Sequence, residues 1–284
     1  MKIVTDCAAD LTPDEIASND IFVAPLFIQF PEGEVSALEI TPDDFYSRLR
    51  AMAPQIPSTA QPSPGIFSNL YERLADLGEE IFSIHISSGL SGTLNSARQG
   101  AEHAAKAIVH LFDSKTLSGG ERFQVLAAAR AIKAGWGTEQ IAQHLSNLRS
   151  QIEVVYTLDT LEYLARGGRI GRVQALAGSL LHLKPVIRVE REDGKYSTVT
   201  KARTIGKALG SIVDYLAEEY QTTAVWVTVL HGQFVDQAQA LAELLPQRLN
   251  VAKIEVARIS PVLGVHTGPG IVGVAVCPME LMNI

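Results

Sequence analysis

The sequence IHISSGLSGTLNSAR at residues 84–98 decides how the first half of the chain folds. It begins with a short apolar run, continues through serines and glycines, and ends in a segment with the pattern of a helix. At the start of a helix, the first backbone N–H groups have no partner within the helix and lie at the positive end of its dipole. We therefore predict a strand, a loop and a helix in that order, with a site for a carboxylate or a phosphate where the loop meets the helix.

Two other segments have the same unusual character. PSTAQPSPG at 57–65 and PVLGVHTGPG at 261–270 place hydroxyls or a histidine among glycines and prolines, between apolar runs. Ser63 is the predicted N-cap of the helix that follows it, which leaves Thr59, four residues earlier, as the ligand candidate of its segment. We predict that the fold assembles the three segments into one polar cluster.

The composition limits the class of protein. The chain has 284 residues, of which 46% are hydrophobic and 19% charged, and its net charge is −7. It has no run rich in Lys or Arg, which argues against general nucleic-acid binding. No apolar run reaches the roughly 18 residues of a membrane-spanning helix. The two cysteines, Cys7 and Cys277, supply neither a disulfide framework nor the spacing of a zinc site.

The N-terminal sequence MKIVTDCAAD is typical of a strand followed by a polar loop, not of a signal peptide. We therefore expect a globular, cytoplasmic protein that holds no metal and no cofactor. A monomer is the default expectation for its oligomeric state.

The first half of the chain alternates short apolar strands with helical patterns. Continuous apolar strands separated by helices are typical of a parallel sheet that is covered on both faces. We therefore predict an α/β fold that opens with an N-terminal, three-layer domain over residues 1–150. The predicted strands span 2–5, 21–29, 81–86 and 107–112, and the predicted helices span 42–52, 64–77, 92–105, 115–134 and 138–149.

The second half, residues 151–284, mixes hairpins with crossovers. The turn EDG at 192–194 lies between two strand-like runs, which is a hairpin signal. We therefore predict a C-terminal α+β domain with a mixed sheet. The predicted strands span 152–157, 185–190, 195–200, 223–230, 251–257 and 271–276, and the predicted helices span 160–166, 173–182, 202–219 and 233–245.

Several of these segments, in this order and spacing, resemble the DegV family of fatty-acid-binding proteins. The resemblance runs from about residue 3 to residue 277. Two positions depart from the family pattern, because Cys7 and Ala60 stand where the family usually has serine. The segments that carry it are VTDCAADL at 4–11, PSTAQPS at 57–63, residues 84–98, YTLDTLEYLARGGRIGR at 156–172, KPVI at 184–187 and HTGPG at 266–270.

The resemblance implies two domains with a long-chain fatty acid buried in an apolar tunnel between them. It implies that Thr59, Ser91 and His266 hold the carboxylate, with Gly92 and Thr93 as neighbours. It also implies that the protein is not itself an enzyme but the binding subunit of a fatty acid kinase. A separate ATP-binding subunit then converts the bound carboxylate to an acyl phosphate for phospholipid synthesis.

The loop RGGRIGR at 166–172 concentrates arginines in an acidic protein. The resemblance implies that Arg169 and Arg203 dock the kinase subunit, and Arg172 belongs to the same patch. The alternative is an ordinary solvated loop. If the loop is a docking patch, Arg169→Ala should slow phosphorylation more than it weakens lipid binding.

The residues alone leave several roles open. Ser91 or Thr93 is either the N-cap of the helix or a ligand donor. His266 is either a structural residue of a loop or a donor to the carboxylate, and the sequence does not choose its protonation state. Asp6 either orients the loops at the edge of the sheet or caps a short helix.

Two other classes of function compete with a carrier. A lipid hydrolase or acyltransferase would use Ser91 and His266 with Asp6 or Asp113, and it needs the nucleophile beside its base. The sequence GLSGT at 89–93 is not a G-x-S-x-G elbow, because its last residue is threonine. A phosphate or nucleotide binder would need a Walker or Rossmann glycine motif, and the chain has neither in the required context.

Overall fold

The computed structural model describes residues 1–176 and 183–284, with side chains described outside 174–182. The strands are β1 (Lys2–Asp6), β2 (Ile21–Ala24), β3 (Phe27–Phe30), β4 (Gly33–Ser36), β5 (Ser58–Ala60), β6 (Ile81–His85), β7 (Val109–Asp113), β8 (Glu153–Leu158), β9 (Lys184–Val189), β10 (Tyr196–Ala202), β11 (Val225–His231), β12 (Val251–Arg258) and β13 (Ile271–Pro278). The α-helices are α1 (Pro13–Asn19), α2 (Pro42–Ala51), α3 (Pro64–Asp76), α4 (Thr93–His103), α5 (Gly119–Lys133), α6 (Thr138–Arg149), α7 (Glu162–Arg166), α8 (Ile205–Tyr220), α9 (Val235–Leu244) and α10 (Pro261–Thr267).

The first sheet has the strand order β2-β1-β6-β7, and all its pairs are parallel. Helices α3 and α4 cover one face through Phe67, Tyr71 and Ala97, which pack on strand residues such as Val4. Helix α5 covers the other face, where Phe82 belongs to the main core. The prediction of a parallel sheet covered on both faces is confirmed.

The second sheet has the order β10-β9-β8-β13-β11-β12. Only β11 and β12 pair in parallel, and the other neighbours are antiparallel. The predicted hairpin is the pair β9–β10, so the mixed sheet is confirmed. Helices α8 and α9 cover its outer face in a second hydrophobic cluster that includes Leu209, Leu216 and Leu241.

Helix α5 lies between the two sheets. Its side chains from Gly119 to Ala129 are all buried, and Phe123 meets Trp226 of β11 edge-on, with ring centroids 5.2 Å apart. A β-carbon at Gly119 would lie 2.7 Å from the Cβ of Ala275, and one at Gly120 would lie 2.6 Å from Val154 Cγ2. The two glycines therefore let the start of α5 sit directly on β8 and β13.

The main core contains residues from both halves of the chain. Leu26 and Ile86, which follow the parallel strands β2 and β6, share this core with Tyr156 of the mixed sheet. The domain boundary near residue 150, between α6 and β8, stays a prediction.

The single predicted strand 21–29 was wrong. The chain forms β2 in the parallel sheet, breaks at Pro25, and continues as β3 in a separate antiparallel sheet of order β4-β3-β5. Proline cannot donate to a sheet ladder, so the apolar run changes sheets there. Strand β3 then pairs Ile28 with Thr59.

Two helices were missed. HTGPG and the residues before it were expected to be a loop, but Pro261–Thr267 is helix α10, with Ser260 as N-cap and proline at its first position. Helix α1 begins at a complete capping box between Thr12 and Glu15. The predicted helix 173–182 differs as well, since Gly171–Leu176 forms a 3₁₀ helix and 177–182 lies outside the described residues.

Candidate ligand-binding site

A narrow cavity, with about 60 Å³ of room for the centres of water-sized spheres, lies between the parallel sheet and the mixed sheet. Small-molecule pockets have mostly apolar walls and a few placed polar groups. This cavity has that character. Aliphatic wall residues come from both halves of the chain and include Leu26, Ile86, Leu117, Leu230, Val262 and Ile271. The polar wall residues include Thr59, Ser91, Arg169 and His266.

Thr59 and His266 meet on the cavity wall although 207 positions separate them in sequence. The Thr59 Oγ1 lies 2.8 Å from the His266 Nε2. Thr59 is fixed by its place in β5, and His266 by the last turn of α10. Gly264 permits the close packing of α10 on α2, because a β-carbon there would lie 2.7 Å from Phe45 Cε1.

Ser91 lies in the loop directly before α4, in the order of strand, loop and helix that the sequence predicted. Its Oγ lies 2.8 Å from Thr93 Oγ1 and accepts a bond of 3.3 Å from the Thr93 amide. Gly92 is the N-cap of α4, and no side chain caps this helix. Neither hydroxyl is therefore the N-cap, and Ser91 lines the cavity beside the positive end of a three-turn helix.

The contacts between loops bring the predicted segments together. A β-carbon at Gly92 would lie 3.2 Å from Gln61 Nε2, so the loop before α4 touches the segment that contains Thr59. The third segment joins through His266.

His266 is neutral in this environment. Burial, and then the positive charge of Arg169, lowers its pKa to about 4. Its Nδ1 forms no hydrogen bond with any residue that the structure describes. That atom faces Gly167, where a β-carbon would lie only 2.2 Å away. Since buried N–H groups without partners are rarer than buried acceptors without partners, we place the proton on Nε2, where it is donated to Thr59.

Arg169 provides a cation on the cavity wall. Its Nη1 donates to the Gly167 carbonyl at 2.7 Å, and its Nε donates to the Leu90 carbonyl at 3.4 Å. The second bond places the guanidinium one residue from Ser91. A carboxylate in this part of the cavity therefore meets hydroxyls and a guanidinium, which form the stronger, charge-assisted class of hydrogen bond.

The comparisons with known proteins agree with this architecture. The family model described as "Uncharacterised protein, DegV family COG1307" matches residues 1–279. The chain belongs to the DegV family. A DegV domain-containing protein of Clostridium perfringens is 37% identical over 278 residues, which cover 97% of this chain and 98% of that protein.

Solved structures of DegV proteins have the same fold. The chain is similar to a fatty-acid-binding DegV family protein from Thermus thermophilus, with a TM-score of 0.91 and 31% identity over 98% of this chain and 99% of the other. It is also similar to DegV, a fatty acid binding protein from Bacillus subtilis, with a TM-score of 0.89 and 29% identity over 98% of each chain.

Within this DegV fold, the pairs needed for a Ser91 hydrolase are not formed. The partner of Ser91 is Thr93, and the hydroxyl on His266 belongs to Thr59. Asp6 contacts a different histidine, since its Oδ2 lies 3.1 Å from His85 Nδ1. Asp113 accepts bonds from the backbone and side chain of Ser88.

A second Ser-His-Asp chain does exist, in the parallel sheet. Ser83 Oγ lies 2.7 Å from His85 Nε2, and His85 leads to Asp6. All three side chains are completely buried, none lines the cavity, and the serine hydroxyl also contacts Tyr71 at 2.8 Å. Because a nucleophile must reach its substrate, we interpret this chain as a structural link between β1 and β6.

Both interpretations of Asp6 hold. Its Oδ1 accepts from the Ala8 amide and caps the 3₁₀ helix Cys7–Ala9, and its Oδ2 accepts from the Ile86 amide at the loop before α4. Cys7 is a packed residue: its Sγ accepts from the Leu26 amide, and burial, chiefly, holds the pKa of the thiol far above its usual value. It is therefore not a reactive thiolate.

The predicted docking arginines lie in two different environments. Arg169 lies on the cavity wall, whereas Arg172 is exposed and pairs with Asp193. Arg203 is exposed directly after β10, which packs against the 3₁₀ turn that contains Arg172. Arg169 thus lies on the cavity wall as well as in the predicted docking loop, and its role in docking stays a prediction.

An open groove of about 380 Å³ adjoins the cavity. It shares Leu90, Arg169 and Tyr196 with the cavity wall, and it adds Arg172 and Lys195. The groove therefore presents three cations beside the polar part of the cavity. The sequence did not predict a role for Lys195. This residue lies in the hairpin that packs against the loop near Gly89, and no pattern in the sequence indicates that contact.

Two further observations bear on the predicted class of protein. In the residues described here, no helix is long and apolar enough to cross a membrane. Among the same residues, no three His, Cys, Asp or Glu side chains lie together in a way that could hold a metal ion.

Proposed function

We propose that this protein binds a long-chain fatty acid in the cavity between its two sheets and presents the carboxylate to a separate ATP-dependent kinase subunit. The observation that carries the proposal is the combination of a narrow aliphatic cavity with Thr59, Ser91, Arg169 and His266 on its wall. Fatty-acid binding by DegV proteins of similar fold supports it.

Each polar residue on the wall makes a different interaction with the carboxylate. Neutral His266 donates from Nε2 to Thr59, which leaves the Thr59 hydroxyl proton free to donate to a carboxylate oxygen. Ser91 supplies a second hydroxyl and α4 the positive end of its dipole. Arg169 supplies the balancing charge, without which a buried carboxylate would raise its pKa and take up a proton.

The aliphatic walls account for the acyl chain. Each methylene that leaves water stabilises the complex by about 0.8 kcal/mol, so a long chain gains most of its affinity from the cavity rather than from its carboxylate. The head-group residues then fix which end enters and where it stops. The acyl length and unsaturation that fit best depend on the shape of this cavity.

The cationic groove supports the kinase part of the proposal. Phosphoryl transfer to a carboxylate brings negative charge beside the head group, and Arg172 and Lys195 line the side from which a donor would approach. Arg203 lies at the other end of β10, outside the groove, and we assign it to the docking surface only through the family resemblance. The protein itself acts as a cytoplasmic carrier without its own catalysis, cofactor or nucleic-acid partner, and as a monomer until it meets the kinase subunit.

A direct binding measurement tests the carrier proposal. Palmitic acid should bind to the purified protein, and Ser91→Ala or Thr59→Val should weaken binding about tenfold to a hundredfold, the range for a hydrogen bond to a charged group. Ser211→Ala on α8, outside the cavity, is the matched control and should change nothing. Equal affinities in all four proteins would refute the assigned site.

A coupled assay tests the kinase proposal separately. With a fatty acid kinase ATP-binding subunit and ATP, Arg172→Ala and Arg203→Ala should slow acyl-phosphate formation while the fatty-acid Kd stays the same. Arg248, an exposed arginine paired with Asp214 outside the groove, provides the control substitution to Ala. Acyl-phosphate formation at the unaltered rate in both the Arg172 and the Arg203 variant would contradict this part of the proposal.

A further inference from the structure

One polar group on the cavity wall is not used by the carboxylate site. Tyr156 lies on β8, is only 4% exposed, and lines the cavity. Its hydroxyl forms no hydrogen bond with any described residue. The nearest aromatic ring is that of Tyr196, which it meets edge-on at 5.7 Å between centroids.

The fold makes room for this side chain. Tyr156 pairs with Gly273 on β13, and a β-carbon at Gly273 would lie 2.3 Å from the Tyr156 Cβ. Glycine on the neighbouring strand therefore accommodates the ring. A phenylalanine would fill the same space, so packing does not explain the hydroxyl.

An unpaired buried hydroxyl is unfavourable, because it has lost its hydrogen bonds to water and gained none in return. Burial, and then Tyr196, raises the pKa of Tyr156 well above its usual value, so the group keeps its proton and remains a donor. A plain hydrocarbon chain in the cavity offers this donor no acceptor. An oxygen substituent on the chain would offer it an acceptor.

We propose that the Tyr156 hydroxyl recognises an oxygen substituent on the acyl chain, so that the protein prefers hydroxy- or oxo-fatty acids over the unsubstituted acid. A site that hydrogen-bonds a ligand oxygen discriminates strongly against the analogue that lacks it, since its own polar group is then left unpaired. This inference rests on the proposed fatty-acid binding and adds the class of fatty acid.

The test compares stearic acid with its monohydroxylated and mono-oxo derivatives, substituted at successive carbons, by competition for a fluorescent fatty acid. At least one derivative should bind more tightly than stearic acid, by about fivefold to a hundredfold. Tyr156→Phe should abolish that advantage and bind stearic acid at least as tightly as the unaltered protein. Tyr46→Phe, which removes another buried and unpaired hydroxyl outside the cavity wall, should keep the advantage.

Each outcome separates this inference from the proposed function. If stearic acid binds but no derivative exceeds it, or if the advantage survives in Tyr156→Phe, the inference is wrong and fatty-acid binding stands. If neither stearic acid nor any derivative binds, both are wrong.

Discussion

Gly167→Ala tests the head-group site without replacing any of its polar residues. Gly167 has φ −74°, so alanine suits its backbone. The added methyl, however, would lie 2.2 Å from His266 Nδ1, where ordinary contacts begin at 3.4 Å. The imidazole must therefore move by about 1.2 Å, the difference between those two distances. A displacement of that size does not keep the 2.8 Å contact between His266 Nε2 and Thr59 Oγ1.

The expected loss follows from that contact. If Thr59 no longer directs its proton to the carboxylate, binding should lose about 1.5–3 kcal/mol, which is about a tenfold to 150-fold rise in Kd. The free energy of unfolding should fall by about 1–3 kcal/mol through overpacking. Palmitate titration calorimetry and urea denaturation measure the two effects.

Gly210→Ala on α8 is the matched control, since a β-carbon there meets no atom within 4 Å. It should leave Kd unchanged. A folded Gly167→Ala protein that binds palmitate within twofold of the unaltered protein would refute the role assigned to His266.

Three other predictions concern pH, protonation and stability. Burial raises the pKa of Glu153 to about 7 against the effects of Arg191 and Arg188, so the folded state holds this proton more tightly than the unfolded chain. The free energy of unfolding should therefore fall by up to about 3 kcal/mol as pH rises from 4.5 through 7. Urea titrations of Glu153→Gln should no longer show this pH dependence. A pH dependence that is unchanged in Glu153→Gln would contradict the prediction. Because His266 is neutral, His266→Gln should bind palmitate more tightly than His266→Ala. For the same reason, the affinity of the unaltered protein for palmitate should stay constant between pH 6 and 8. Calorimetry that shows a His266-dependent loss of affinity across that range would contradict the neutral state. Gly210→Ala should raise the free energy of unfolding by about 0.5–1 kcal/mol, and a lower urea midpoint would contradict this.

The sequence predicted the sheets because their signals are local. Continuous apolar strands such as β6 and β11 are buried on both faces, and the EDG turn is a hairpin signal. Pro25 could have shown that the run 21–29 is broken. What it could not show is that β3 joins β4 and β5 in a third sheet, because those strands have four and three residues.

Helix α10 was missed although its start signal was present. Ser260 followed by Pro261 is a typical N-cap and first helical residue, but Gly264 and the glycines after His266 suggested a loop. Gly264 serves packing against Phe45 instead. The local sequence does not show whether a glycine is needed for a turn or for close packing against an aromatic side chain from a distant part of the chain.

The sequence predicted candidate residues for the site, but it did not predict which of their side chains contact one another. The structure brings Thr59 to His266, yet their roles toward a carboxylate stay predictions. The place of Arg169 on the cavity wall depends on how the loop after α7 packs against Leu90, and the unpaired hydroxyl of Tyr156 depends on burial between two sheets. Neither leaves a pattern in the sequence.

The most direct test of the central claim is native mass spectrometry of the protein purified without added lipid, followed by organic extraction. We predict an adduct with the mass of a long-chain fatty acid, which the extract identifies and which is lost or reduced in Ser91→Ala and His266→Ala. A protein that is purified empty and also takes up no added fatty acid would contradict the claim.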